Sequence, residues 1–151
     1  MIRERFAEDL KAAIKARDTK RTSTLRLITA AIKDRDIAAR TEDNADGVGD
    51  AEILAILGKM IRQRQESARA YDEGGRLDLA EQEREEIRII LDYLPRQMSE
   101  SEVETAVARA IEETGASSIR DMGKVMAVLK ARHTGQMDFA RIGATVKQSF
   151  R

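Results

Sequence analysis

Pro95 is the only proline among 151 residues, and it separates two stretches whose apolar residues recur at the three- and four-residue steps of one-sided helices. A proline lacks a backbone donor and disfavours helical backbone in the residue before it, so a helix that reaches Leu94 ends there. Ahead of it, Ile2, Phe6, Leu10, Ala13 and Ile14 mark a first helix. Asp18 and Thr19 offer capping oxygens to a second, whose apolar face runs through Leu25, Ile28, Ala31 and Ile32. The polar, acidic, glycine-containing segment from Thr41 to Gly49 reads as a mobile loop. Asp50 is placed to cap a third helix carrying Ile53, Leu57, Met60, Ile61 and Ala68, which stops at Gly74-Gly75. A fourth, with Leu77, Ala80, Ile87, Ile90, Leu91 and Leu94, runs to Pro95. Four amphipathic helices predict a bundle-like domain over residues 1–95.

Beyond Pro95 the helices shorten. Ser99 and Glu102 form a capping-box pattern ahead of Val103, Ala106, Val107, Ala110 and Ile111, and Gly115 ends that helix. Ser118 and Asp121 repeat the spacing for a helix from Ile119 to Arg132, and Asp138 caps a last one with Phe139, Ile142, Val146 and Phe150. Three short helices predict a second domain over residues 96–151, with a single continuous bundle as the alternative. Three Phe, two Tyr and no Trp leave an aliphatic core, and few β-branched runs leave little case for sheet, so the fold class is all-α. The absence of cysteine excludes disulfides, thiolate metal sites and cysteine nucleophiles. Charges every few residues after Met1–Phe6 are unlike a signal peptide, and no apolar run approaches the roughly 20 residues of a membrane span. The expectation is a soluble cytoplasmic protein with no membrane partner.

Net charge is zero, which gives no global field to attract nucleic acid, and DNA is not an expected partner. Locally the charge is sorted: residues 1–40 hold eleven basic and six acidic residues, 72–95 three and eight, and 120–151 seven and two. The C-terminal excess surrounds Gly123, a glycine inside a predicted helix, where it costs roughly 1 kcal/mol against alanine. Two explanations are open. A missing Cβ lets a neighbouring helix approach, or a bare backbone beside Lys124 near a helix N-terminus approaches a phosphate. On the second, Gly123, Lys124, Lys130, Arg132, Arg141 and Lys147 form a weak RNA-facing surface that reads backbone and shape rather than sequence.

The inventory for catalysis is poor. His133, the only histidine, sits at a predicted helix end between basic residues, where a surface or C-capping role suits it. Glu66, Asp72 and Glu73 near Arg64 and Arg69 are explained by ion pairs three or four residues apart. The run Glu81, Glu83, Glu85, Glu86 reads as a solvated helix face without the spaced histidines of a di-metal bundle. No phosphate-loop or dinucleotide glycine pattern is present. No catalytic residue, metal site or cofactor is assigned, and the oligomeric state is open.

Tyr93-Leu94-Pro95-Arg96-Gln97-Met98-Ser99, and Gly115-Ala116-Ser117-Ser118 with Asp121-Met122-Gly123-Lys124-Val125-Met126, resemble the junction and C-terminal signature of the GatB/YqeY family. Leu25-Arg26-Leu27-Ile28, Arg64-Gln65-Glu66-Ser67 and Tyr71-Asp72-Glu73-Gly74-Gly75-Arg76 are similar to its N-terminal segments. The resemblance implies an all-α protein whose C-terminal domain is shared with the tail of the B subunit of the glutamine-dependent tRNA amidotransferase. In that enzyme the tail contacts tRNA, and the chemistry occurs in a separate cradle domain. Nothing here corresponds to the cradle, so a carbon–nitrogen ligase activity with glutamine as amido donor does not carry over with the tail. What the resemblance implies is an accessory protein whose partner is tRNA or a tRNA-associated protein. Its alternative is a helical protein-interaction module with no RNA role. Where the tail has a Gly-Lys-Ala-Asp turn, this chain reads Gly135-Gln136-Met137-Asp138 and loses the lysine.

Overall fold

The computed structural model describes residues 2–40 and 47–150. Among them are seven α-helices, a short 3-10 turn and no strand: α1 (Ile2–Lys15), α2 (Thr19–Ala39), α3 (Asp50–Glu73), α4 (Leu77–Leu91), α5 (Glu100–Thr114), α6 (Met122–Arg132) and α7 (Phe139–Gln148). The fold is all-α. Most of the loop expected at Thr41 to Gly49 lies outside the described residues. The chain divides into two compact units, Met1–Leu94 and Pro95–Arg151.

In the first unit α1 packs on α2, α4 runs along α3, and α2 meets both α3 and α4. Leu25, Ile28, Ile53, Leu57 and Ile90 are almost fully excluded from water in its centre. Each such aliphatic side chain contributes about 1.5–3 kcal/mol by leaving water. The buried hydroxyl of Thr24 donates to the Lys20 carbonyl at 2.9 Å, so the one buried polar side chain among the described residues is satisfied. Tyr93 closes the unit: its ring centroid lies 4.5 Å from that of Phe6, and its hydroxyl donates to Asp9 at 2.5 Å. Burial, and then the Asp9 carboxylate, push the Tyr93 hydroxyl up to about 12. At the other end Arg3 grips both oxygens of Asp36, at 2.9 and 2.7 Å, and also donates to the Val48 carbonyl at 2.8 Å. Val48 N–H donates back to Asp36 at 2.9 Å, which pins α1, α2 and the start of the α3 approach together.

Several local expectations need correction. Asp50 is the first residue of α3 rather than its cap, and Gly49 holds the cap position with no side-chain bond. Leu77 and Ile14 continue apolar stripes in the sequence yet are 67% and 49% exposed; each lies at a helix end, Leu77 as the first residue of α4 and Ile14 as the last but one of α1. The carboxylates of α4 are not a simply solvated face. Glu86 accepts from Arg64 of α3 at 2.8 Å, Glu85 pairs with Lys20 of α2, and Arg84 pairs with Asp72 of α3. These pairs tie α4 to its neighbours, and they replace the short-range pairs expected of Arg64 and Asp72.

In the second unit α5, α6 and α7 enclose Val107, Ala110, Val125, Leu129, Ile142 and Val146. The segment after Pro95 is fastened to the turn before α7: Gln97 donates to the Gly135 carbonyl at 2.7 Å, and Met98 N–H donates to the Gln136 carbonyl at 3.0 Å. Gln136, at the position of the missing lysine, donates to the Arg96 carbonyl at 3.3 Å.

Candidate nucleic-acid interface

The ends of the C-terminal helices are set by short-range chemistry. Ser99 accepts from Glu102 N–H at 3.2 Å while the Glu102 carboxylate accepts from Ser99 N–H at 3.0 Å, a complete capping box. Arg96 holds the same carboxylate at 3.0 and 2.7 Å. Those two guanidinium bonds, then the Ser99 amide, hold Glu102 down to about 2. Gly115 takes the left-handed conformation, φ +67, that ends α5. Asp138 caps α7 by accepting from Ala140 N–H at 3.0 Å.

The start of α6 differs from the sequence expectation. Ile119–Asp121 is a 3-10 turn, and the α-helix begins only at Met122. Ser118 accepts from Arg120 N–H at 3.4 Å, and the Asp121 carboxylate reaches back to accept from Ser117 N–H at 3.0 Å, bracing the preceding turn instead of capping forward. Gly123 is therefore the second residue of α6, and it is exposed. A Cβ placed there would meet nothing within 4 Å. Close packing is not what the glycine provides. The crowded helical glycine of this unit is Gly143 on α7, whose Cβ would come 3.2 Å from Met122 Cε.

The six residues singled out in the sequence divide into separate sets. At about 100° per residue, Lys130 lies about 20° around α6 from Gly123 and Lys124 about 100°, so the three share the outward half of the helix. Lys124 and Lys130 are exposed, and neither has a carboxylate within 4.0 Å among the described residues. Arg132 lies about 180° from Gly123 and turns to α5, where it meets Glu113 at 2.5 Å. That guanidinium lowers the Glu113 carboxyl from its usual range. On α7, Arg141 is within 3.6 Å of its own cap residue Asp138, and exposed Lys147 is about 120° away around the helix.

Arg132 opens instead onto a groove of about 360 Å³ between α5 and α6. Its floor includes Met98, Ala106 and Leu129, and Ser101, Thr105 and Arg109 stand along one stripe of α5. Sequence reading missed Arg109, because a single arginine in an otherwise acidic helix gives no pattern signal. His133 also lines the groove; it is the residue after α6, its Nδ1 is 3.4 Å from the Gln136 side-chain oxygen, and its N–H donates to the Leu129 carbonyl. Among the described residues no group of three or more His, Cys, Asp or Glu is arranged to hold a metal ion, and no helix is long and apolar enough to cross a membrane.

The family model described as Yqey-like protein matches residues 3–150. Among curated proteins, the chain is 32% identical over 108 residues to "Altered inheritance of mitochondria protein 41, mitochondrial" of Lachancea thermotolerans, covering 70% of this chain and 56% of that one. It is 39% identical over 88 residues to the protein of the same name in Clavispora lusitaniae, covering 57% and 47%. The Kluyveromyces lactis protein is 33% identical over 86 residues, covering 57% and 44%. The chain thus spans about half the length of the curated relatives it matches. Their names overturn the cytoplasmic expectation: each is a mitochondrial protein. Charge spacing near Met1 and a lack of cysteine do not fix a compartment.

Proposed function

The chain belongs to the YqeY-like family, and on that footing we propose that it is an accessory, non-catalytic protein whose C-terminal unit contacts structured RNA of the tRNA type. The observation that carries this reading is Gly123. Gly123, like Gly58 of α3, is a helical glycine with open space at its Cβ position; what sets it apart is its place in the first turn of α6, next to Lys124, with Lys130 about two turns further along the outward half of the helix and neither lysine within 4.0 Å of a carboxylate among the described residues. A bare backbone flanked by exposed ammonium groups suits a phosphate, whereas a helix–helix contact would use the missing Cβ. Contacts of this kind position a backbone and give weak, salt-dependent affinity with little base preference. Carbon–nitrogen ligase chemistry with glutamine as amido donor is not part of the proposal: among the described residues the His133 ring meets the Gln136 side chain rather than the Ser101 or Thr105 hydroxyl that shares its groove.

The test is a titration of a labelled tRNA transcript, at several salt concentrations, against the wild-type chain and the Lys124→Glu/Lys130→Glu variant. Two lost phosphate contacts should weaken binding at least tenfold and reduce the slope of log K against log salt by about two. Equal affinity and slope in the double variant would sink the assignment.

A further inference from the structure

The first unit carries its own groove, of about 650 Å³, at the corner between α1 and α2. Ile14 and Arg17 line it from the end of α1. From α2 come Thr19, Thr22, Ser23, Arg26 and Leu27, a single stripe of the helix that rises about 12 Å, or roughly two turns.

Three independent observations single out this corner. Ile14 and Leu27, 49% and 45% exposed, are two of the six large hydrophobic side chains left facing water among the described residues. The charge is also uncompensated. At least eight arginines of this unit, Arg3 and Arg64 among them, lie within 4.0 Å of a carboxylate among the described residues. Arg17 and Arg26 have no such partner among the described residues, a state they share with Arg69, but only these two line one groove together, and no carboxylate lines it. The nearby Asp18 is engaged as the cap of α2, accepting from Arg21 N–H at 3.1 Å. Finally, Arg17 is the one non-glycine residue with positive φ, +57, among those described. Its N–H donates to the Ile14 carbonyl at 3.1 Å and Asp18 N–H donates to the Ala13 carbonyl at 3.0 Å, the helix-ending pattern in which glycine is the unstrained choice. The chain holds a guanidinium at the mouth of the groove at the expense of backbone strain.

We propose that this groove docks an acidic amphipathic helix of a partner protein. Its aliphatic side chains cover Ile14 and Leu27, and carboxylates about two turns apart reach Arg17 and Arg26. The hydroxyls of Thr19, Thr22 and Ser23 make a low floor that lets a helix approach and supplies donors to carboxylate oxygens. A nucleic-acid backbone fits the groove less well: it leaves both aliphatic side chains in water, and no aromatic ring lines the groove to stack a base.

The experiment is selection of a phage-displayed library of helical peptides on the wild-type chain, with counter-selection on Arg17→Gly/Arg26→Gln. Glycine is the favoured residue at position 17, so the double variant should keep the wild-type circular dichroism and melt no lower. Leu27→Ser, at an exposed position, is a second variant that tests the apolar contact. The expected result is enrichment of peptides with Asp or Glu beside aliphatic residues on one face, binding at least tenfold more weakly to the double variant and about fivefold more weakly to Leu27→Ser. No enrichment, enrichment of peptides without acidic residues, or equal binding to the double variant overturns the proposal. So does a tRNA transcript that displaces the selected peptides and loses affinity with the double variant, which would assign the groove to RNA.

Discussion

Replacing Gly123 with alanine separates the two explanations for that glycine most cleanly. The residue lies in helical backbone with negative φ, and its Cβ direction is empty to 4 Å, so alanine adds no clash and removes no contact. What changes is the conformational freedom of the unfolded chain, which glycine enlarges. In a helix interior that difference is about 0.8–1.0 kcal/mol; at the second residue of α6 only part of it applies, so a gain of about 0.5 kcal/mol is expected. At about 2–4 °C per kcal/mol for a chain of this size, Tm should rise by about 1–2 °C, read by circular dichroism at 222 nm. If the bare backbone serves a phosphate, the same methyl group should weaken tRNA binding about threefold to tenfold, so stability and affinity move in opposite directions. A fall in Tm would show that Gly123 packs after all. A rise in Tm with unchanged affinity would leave the glycine without a recognition role. Gly143→Leu is the contrasting control, since its side chain meets Met122 and overpacking of that kind costs about 1–3 kcal/mol.

Two further outcomes follow from the first unit. Asp36 is held down to about 2 by Arg3 and then by the Val48 amide, below its unfolded range, so its contribution is present above about pH 4 and lost as pH falls through about 2. Asp36→Asn should lower stability by about 1–2 kcal/mol at neutral pH and flatten the acid limb of a urea-denaturation series between pH 4 and 2; an unchanged limb would show that the pair contributes nothing. Arg17→Gly should raise stability by about 1 kcal/mol in urea unfolding through relief of the left-handed backbone, and a loss of stability would mean that the arginine makes a contact that offsets its strain.

Much of the fold was legible because its signals are local. Asp18, Ser99 and Asp138 cap α2, α5 and α7 through their own side chains, and a capping residue needs only neighbours a few positions away. Burial of Leu25, Ile28, Ile53 and Val107 follows from the three- and four-residue spacing of their apolar stripes. The misreadings concern partners that sequence spacing does not reveal. Glu85 and Glu86 looked solvated because Lys20 and Arg64 lie on other helices. Ile14 and Leu77 looked buried because a stripe does not show where its cover ends. Whether a helical glycine is crowded depends on what stands opposite it, so Gly123 and Gly143 could be told apart only in three dimensions. Charge alone groups Arg132 with Lys124 and Lys130, while the helix turns it to Glu113 on the opposite side.

A phosphate held at the start of α6 is felt by the amides there, and a ¹H–¹⁵N correlation spectrum of the full chain titrated with a tRNA transcript reads them one by one. The largest shifts should fall on Gly123, Lys124 and Lys130, shrink as salt is raised, and need at least tenfold more RNA in Lys124→Glu/Lys130→Glu. Binding that persists while those amides stay still, with the shifts confined to residues before Pro95, would contradict that placement.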